Sequence, residues 1–146
     1  MKRFKIIKHT SLSQQQIFHT STDIANFDKV LPKYFKSLKI IQNDKCQKTT
    51  VEEIFFLGFR TKVKTRHLIM PPNIHEVYIL TGPLKGSSFI ESYTPSKNGT
   101  EIIITVNLKI LWFLHFFSFF SNYIIDKMTY VMDEFVLSAE EKIRLG

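Results

Sequence analysis

Between Leu38 and Lys109 the chain breaks into six short segments rich in β-branched and aromatic residues, each closed by turn residues. The segments are Leu38 to Gln42, Thr49 to Leu57, Phe59 to Met70, His75 to Thr81, Ser88 to Thr94 and Glu101 to Lys109. Between them stand Asn43-Asp44-Lys45, Gly58, Pro71-Pro72-Asn73, Gly82-Pro83 with Gly86, and Lys97-Asn98-Gly99. Connections this short cannot carry a strand back in parallel, so the spacing predicts an antiparallel meander. Asn98-Gly99 is the strongest hairpin signal, because both residues tolerate positive φ. The segment from Phe59 sets the two faces: Phe59, Thr61, Val63, Thr65, His67 and Ile69 alternate with Arg60, Lys62, Lys64 and Arg66. One face meets a core and the other meets solvent.

Helical signals flank this block. Lys5 to Leu12 reads as an additional first strand; Ser13 with Gln16 three positions later makes a capping box, predicting a helix from Gln14 to about Thr20. Thr22 and Asp23 offer a second cap for a brief helical segment through Phe27, and Pro32 limits its extension. At the other end the period becomes helical: Phe117, Phe120, Ile124, Met128, Val131, Met132 and Phe135 share one stripe. That predicts a helix from Phe117 to Lys142, about 39 Å long at its ordinary rise, resting its apolar stripe on the sheet. No repeat or linker divides the chain, so residues 1–146 are read as one domain.

Charge and cysteine content narrow the function classes. Residues 1–66 hold 14 Lys and Arg against 5 Asp and Glu, whereas residues 67–146 hold 6 against 8. The basic charges are scattered along strands without interleaved aromatic residues; they read as a solvated face before an anionic membrane surface, and nucleic acid is disfavoured. Cys46 is the only cysteine, so no disulfide framework is expected and a reducing, cytoplasmic setting is the simplest. The charged start Met1-Lys2-Arg3-Phe4-Lys5 is not followed by a leader's apolar stretch. The most apolar stretch, Ile110 to Ile125, is interrupted by polar residues and short of a bilayer span. Its part from Leu111 to Phe120 nevertheless concentrates the only Trp and five of the fourteen Phe.

A strand, two short helices, six antiparallel strands and a long closing helix form a definite order of elements. The residues marking that order are Gln14-Gln15-Gln16-Ile17-Phe18, Asp23-Ile24-Ala25-Asn26-Phe27 leading to Leu31-Pro32, Gly82-Pro83-Leu84, Asn98-Gly99-Thr100-Glu101 and the closing amphipathic stripe. The order resembles the helix-grip fold of the START-related lipid-transfer superfamily, an α+β fold in which a curved antiparallel sheet of about seven strands wraps a long C-terminal helix. That superfamily includes pollen allergens, polyketide cyclases and ubiquinone-binding proteins, and the last branch is closest in texture. The resemblance implies a cavity between sheet and helix for a hydrophobic small molecule such as a lipid, isoprenoid or quinone. On that expectation the ligand-binding candidates are Phe27, Phe55, His67, Ile69, Tyr93, Phe117, Phe120, Ile124, Met128, Met132 and Phe135. Methionine on the stripe suits a wall that adapts to ligand shape, while the same side chains would equally serve as core.

Chemistry-bearing residues are few. His67 shares a face with Val63 and Ile69 and reads first as a satisfied core or rim histidine, second as a group that orients a carbonyl or acts as a base. Glu91 is expected at an edge or in solvent, with a buried acid as the other reading. A cyclase or dehydratase alternative would use His67 with Tyr93 or Glu91. His9, His19, His75 and His115 form no metal-ligand spacing, no nucleophile elbow or phosphate loop is present, and neither metal nor cofactor is expected. Trp112, Phe113, Phe116 and Phe119 are read three ways: buried core, a membrane-dipping lip, or a protein interface such as a homodimer contact.

Overall fold

In the computed structural model of the chain, the structure describes residues 2–56, 58–109 and 118–146. Seven strands, β1 (Lys2–Thr10), β2 (Phe35–Asn43), β3 (Gln47–Phe56), β4 (Phe59–Met70), β5 (Ile74–Ile79), β6 (Ser88–Ser96) and β7 (Gly99–Leu108), form one sheet. Its order is β1-β7-β6-β5-β4-β3-β2, and every pairing is antiparallel. The meander expected from the turn spacing thus runs unbroken from β2 to β7, and β1 joins beside β7, a partner that the sequence did not disclose. Register shifts between β2 and β3 mark irregularities of the kind that bend a strand.

Alternation on β4 falls as the residue pattern required: Val63, Thr65, His67 and Ile69 are buried, while Arg60, Lys62 and Lys64 are exposed. On β7 the side chains of Thr100, Ile102, Ile104, Val106 and Leu108 are all buried, which makes this strand the sheet's hydrophobic centre. The Asn98-Gly99 hairpin forms, but Gly99 is needed for more than the turn. It pairs with Ser96 at φ 143°, and a Cβ there would lie 1.9 Å from the Thr10 carbonyl oxygen where β1 ends.

Helix α1 (Gln14–Thr22) begins at the expected capping box, with Gln16 N–H donating to Ser13 Oγ and Ser13 N–H to the Gln16 side chain. The second expected cap does not form. Asp23 makes no capping side-chain bond; its carboxylate accepts instead from the Asn26 amide, over a 3-10 turn at Ile24–Asn26 that runs into the short α2 (Phe27–Val30).

The long helix α3 (Ser118–Leu145) buries Ile124, Met128, Phe135, Val136 and Ala139 and exposes Tyr123, Tyr130 and Leu137. It is tied to β1 by the Lys8–Asp133 ion pair at 2.5 Å and by Thr10, whose hydroxyl donates to Glu140 at 2.8 Å. Lys33, after α2, reaches Glu134 at 3.2 Å. No helix among the described residues is long and apolar enough to cross a membrane.

Candidate ligand-binding site

The space between the sheet and α3 holds a cavity of about 260 Å³. Apolar side chains from every layer line it, among them Phe27, Leu31, Ile54, Val77, Phe89, Met128, Met132 and Phe135. One wall is different in kind: Glu52, Thr65, His67, His75 and Glu91, from four neighbouring strands, interrupt the hydrocarbon.

Strand register makes that wall. Ile69 pairs with His75, His75 with Glu91, Glu91 with Ile104 and Ile104 with Ile6, so five strands contribute one inward row. Glu91 therefore faces the cavity, with its side chain 12% exposed, and the edge or solvent position expected for it does not hold. The reason is that β6 lies inside the sheet, between β5 and β7, and Glu91 shares a face with the fully buried Tyr93 two residues on.

Within the wall the polar groups form a line. Glu52 is buried and accepts from Thr50 Oγ1 at 2.8 Å and from Thr65 Oγ1 at 3.4 Å. His67 Nε2 lies 3.5 Å from Glu52 Oε1 and 3.4 Å from Thr50 Oγ1. The other edge of the ring reaches His75: Nδ1 of His67 is 3.1 Å from Nε2 of His75, and the two rings are inclined by 20°. His75 Nδ1 is in turn 2.5 Å from Glu91 Oε1, whose second oxygen accepts from the Tyr93 hydroxyl at 3.0 Å. The His75–Glu91 contact is short but out of line with the ring N–H, so His75 Nδ1 has no aligned hydrogen-bond partner. Phe27 packs its ring edge-on to His67 at 6.0 Å.

Proton accounting follows from these partners. The Thr50 hydroxyl donates to Glu52, so the remaining lone pairs of Thr50 and Glu52 ask His67 Nε2 for a proton. A neutral His67 then accepts at Nδ1 from His75 Nε2–H. That assignment leaves the His75 Nδ1 lone pair beside Glu91 Oε1 with no hydrogen bond between them. Tyr93 keeps its own proton: burial first, and then the charge of Glu91, hold its hydroxyl well above the ordinary tyrosine range.

Of the residues expected to bind ligand, Phe27, His67, Met128, Met132 and Phe135 line the cavity. Ile69, Tyr93 and Ile124 are buried in the core behind or beside it. Phe55 is misplaced by that expectation: it is 42% exposed on the outer face of β3, beneath the Lys36 ammonium, because the inward positions there are Glu52, Ile54 and Phe56. Phe117, Trp112, Phe113 and Phe116 lie outside the described residues, as do the side chains of Phe119 and Phe120 at the start of α3. Glu52 and His75 were missed. A buried glutamate in a run reading Val51-Glu52-Glu53 carries no distinguishing signal, and His75 meets His67 only through the β4–β5 hairpin. Among the described residues no group of three or more His, Cys, Asp or Glu is arranged to hold a metal ion.

No protein-family model and no curated protein sequence matches the chain. Solved structures do. The Zhui aromatase/cyclase from a Streptomyces species superposes with a TM-score of 0.84 at 9% identity, over 97% of this chain and 95% of that one. The chain has the helix-grip fold. The same helix-grip architecture relates it to a protein of Thermus thermophilus, with a TM-score of 0.80 at 10% identity over 99% and 98% of the two chains. It also relates it to a Thalictrum norcoclaurine synthase, with a TM-score of 0.72 at 14% identity over 97% and 96%. Identities this low convey the helix-grip scaffold and leave the chemistry to the residues of this chain.

Proposed function

We propose that the protein binds and carries a hydrophobic small molecule, of the lipid, isoprenoid or quinone kind, in the cavity between the sheet and α3. The observation carrying this reading is the cavity of about 260 Å³, lined mainly by hydrocarbon side chains. Apolar surface moved from water into such a space contributes about 25 cal/mol per Å², less the cost of ordering ligand and side chains. Met128 and Met132, flexible and polarisable, give the α3 wall room to adapt. The aromatic run from Trp112 to Phe120 would bring the protein to a membrane surface for loading, in a cytoplasmic setting.

Native mass spectrometry of protein from its own host, followed by organic extraction, tests this. A stoichiometric apolar molecule supports the carrier reading and identifies its class. Protein that arrives without one and takes up none of a panel of lipids, isoprenoids and quinones overturns it.

A cyclase or dehydratase reading has one specific observation in its favour, the histidine pair set between two carboxylates at the cavity wall. It predicts that His67→Gln abolishes turnover of an enolisable aromatic precursor while binding persists. Equal turnover by the variant would remove that reading.

A further inference from the structure

The charge inventory of the cavity is the reverse of that of the chain. The sequence carries a formal charge of +7, yet among the described residues no lysine or arginine lines the cavity, and the ionisable groups that do are Glu52, His67, His75, Glu91 and the phenol of Tyr34. Alternation disposes of the bases: the Arg60, Lys62, Lys64 and Arg66 positions of β4 point away from the face that carries His67. The polar line therefore contains two acids and no fixed cation. In a wall of hydrocarbon a carboxylate charge is weakly screened.

The line is also open at one place. Glu52 is covered by two threonine hydroxyls and His67, whereas Glu91 is the member with residual exposure, and the buried His75 beside it has an Nδ1 with no aligned partner. A ligand head entering there meets the lone pairs of Glu91 and the unpartnered Nδ1 lone pair of His75.

We infer that the cavity is selective for an apolar molecule whose head is a hydrogen-bond donor without negative charge, an alcohol, phenol or ammonium group placed against Glu91, and that it rejects carboxylate and phosphate amphiphiles. The inference rests on the carrier reading above and narrows it. A donor head completes the acceptor capacity of Glu91; an anionic head would place a second uncompensated charge in the same low-dielectric wall. A ketone, which only accepts, gains less than an alcohol of the same size.

The test uses the full chain stripped of bound molecules on a hydrophobic resin, and titrates it by calorimetry with octanol, octylamine, octanoate and methyl hexyl ketone. The bodies are matched, and the surface charge of the protein by itself would favour octanoate. The expected result is that octanol and octylamine bind about tenfold or more tighter than octanoate, with the ketone weaker than octanol. Comparison of octanol with octylamine separates a neutral from a cationic donor. Glu91→Gln is expected to strengthen octanoate and weaken octylamine; Glu52→Gln supplies a second charge removal if the first variant does not fold. Octanoate binding as tightly as octanol, or an unchanged ranking in a folded Glu91→Gln protein, overturns the inference and leaves cavity binding standing. Failure of all four probes overturns the carrier reading together with it.

Discussion

His67 Nδ1 and His75 Nε2 lie 3.1 Å apart at the cavity wall, with side chains only 2% and 1% exposed. Each ring uses its other nitrogen toward a glutamate, Glu52 for His67 and Glu91 for His75. Two imidazoles with a carboxylate at each end form a chain in which every member depends on the next, so the loss of one strands its neighbours.

Truncation of the chain should therefore be costly. His75→Ala removes the hydrogen-bond partner of the buried His67 Nδ1 and leaves the space of a fully buried ring, and is expected to destabilise the fold by about 3 kcal/mol. Urea denaturation with a shared m-value is the measurement. The His9–Glu101 pair at 3.7 Å is the comparison: with side chains 67% and 37% exposed, its removal by His9→Ala should leave the midpoint unmoved.

Core and cavity wall should respond differently to truncation. Ile124 is fully buried on α3 outside the cavity, and Ile124→Ala is expected to cost about 2–5 kcal/mol because its neighbours cannot refill the space. Met128 borders space that already exists, so Met128→Ala should cost less and admit longer ligands. Thermal unfolding and a chain-length series of bound alcohols read the two effects separately.

Backbone approach gives a third outcome. At Gly99 an added Cβ would meet the Thr10 carbonyl at 1.9 Å, joining the end of β1 to the β6–β7 turn. Gly99→Ala is expected to destabilise by about 3 kcal/mol or more, since the clash is with backbone and the φ is unfavourable. Gly58, with open space around its Cβ position, has only its φ of 82° to oppose substitution. Gly58→Ala should cost less, and chemical denaturation of both variants checks the order.

Alkaline stability should depend on Tyr93. Its folded pKa lies well above the unfolded value of 10.0, chiefly through burial, so the folded state holds the proton more tightly. The associated stability is complete below pH 10.0 and declines as pH rises from there toward the folded pKa. Tyr93→Phe is expected to lose about 1 kcal/mol near neutrality with the bond to Glu91 and to flatten the alkaline decline. Denaturation midpoints across the alkaline range decide it; an identical slope in the variant would count against this cause.

Period-two alternation, turn residues and the capping box determined the strand succession, the place of α1 and the inward face of β4, because each is a local property of a few consecutive side chains. The C-terminal stripe likewise announced a long helix with Ile124, Met128 and Phe135 on its buried side. What no local pattern contained was the partner of β1 and the register of each strand on the next. β1 closing on β7, Glu91 turning inward beside His75, and Glu52 joining His67 are all consequences of pairing and register between strands, where a one-residue slip would reverse every face. Phe55 shows the same limit from the other side, since an aromatic run at a strand end does not say which ring faces out. The sequence determined the elements and, on the cavity wall, Phe27, Met128, Met132 and Phe135. The tertiary structure decided the polar line, because hydrogen bonds between side chains on separate strands exist only once the sheet has set its register.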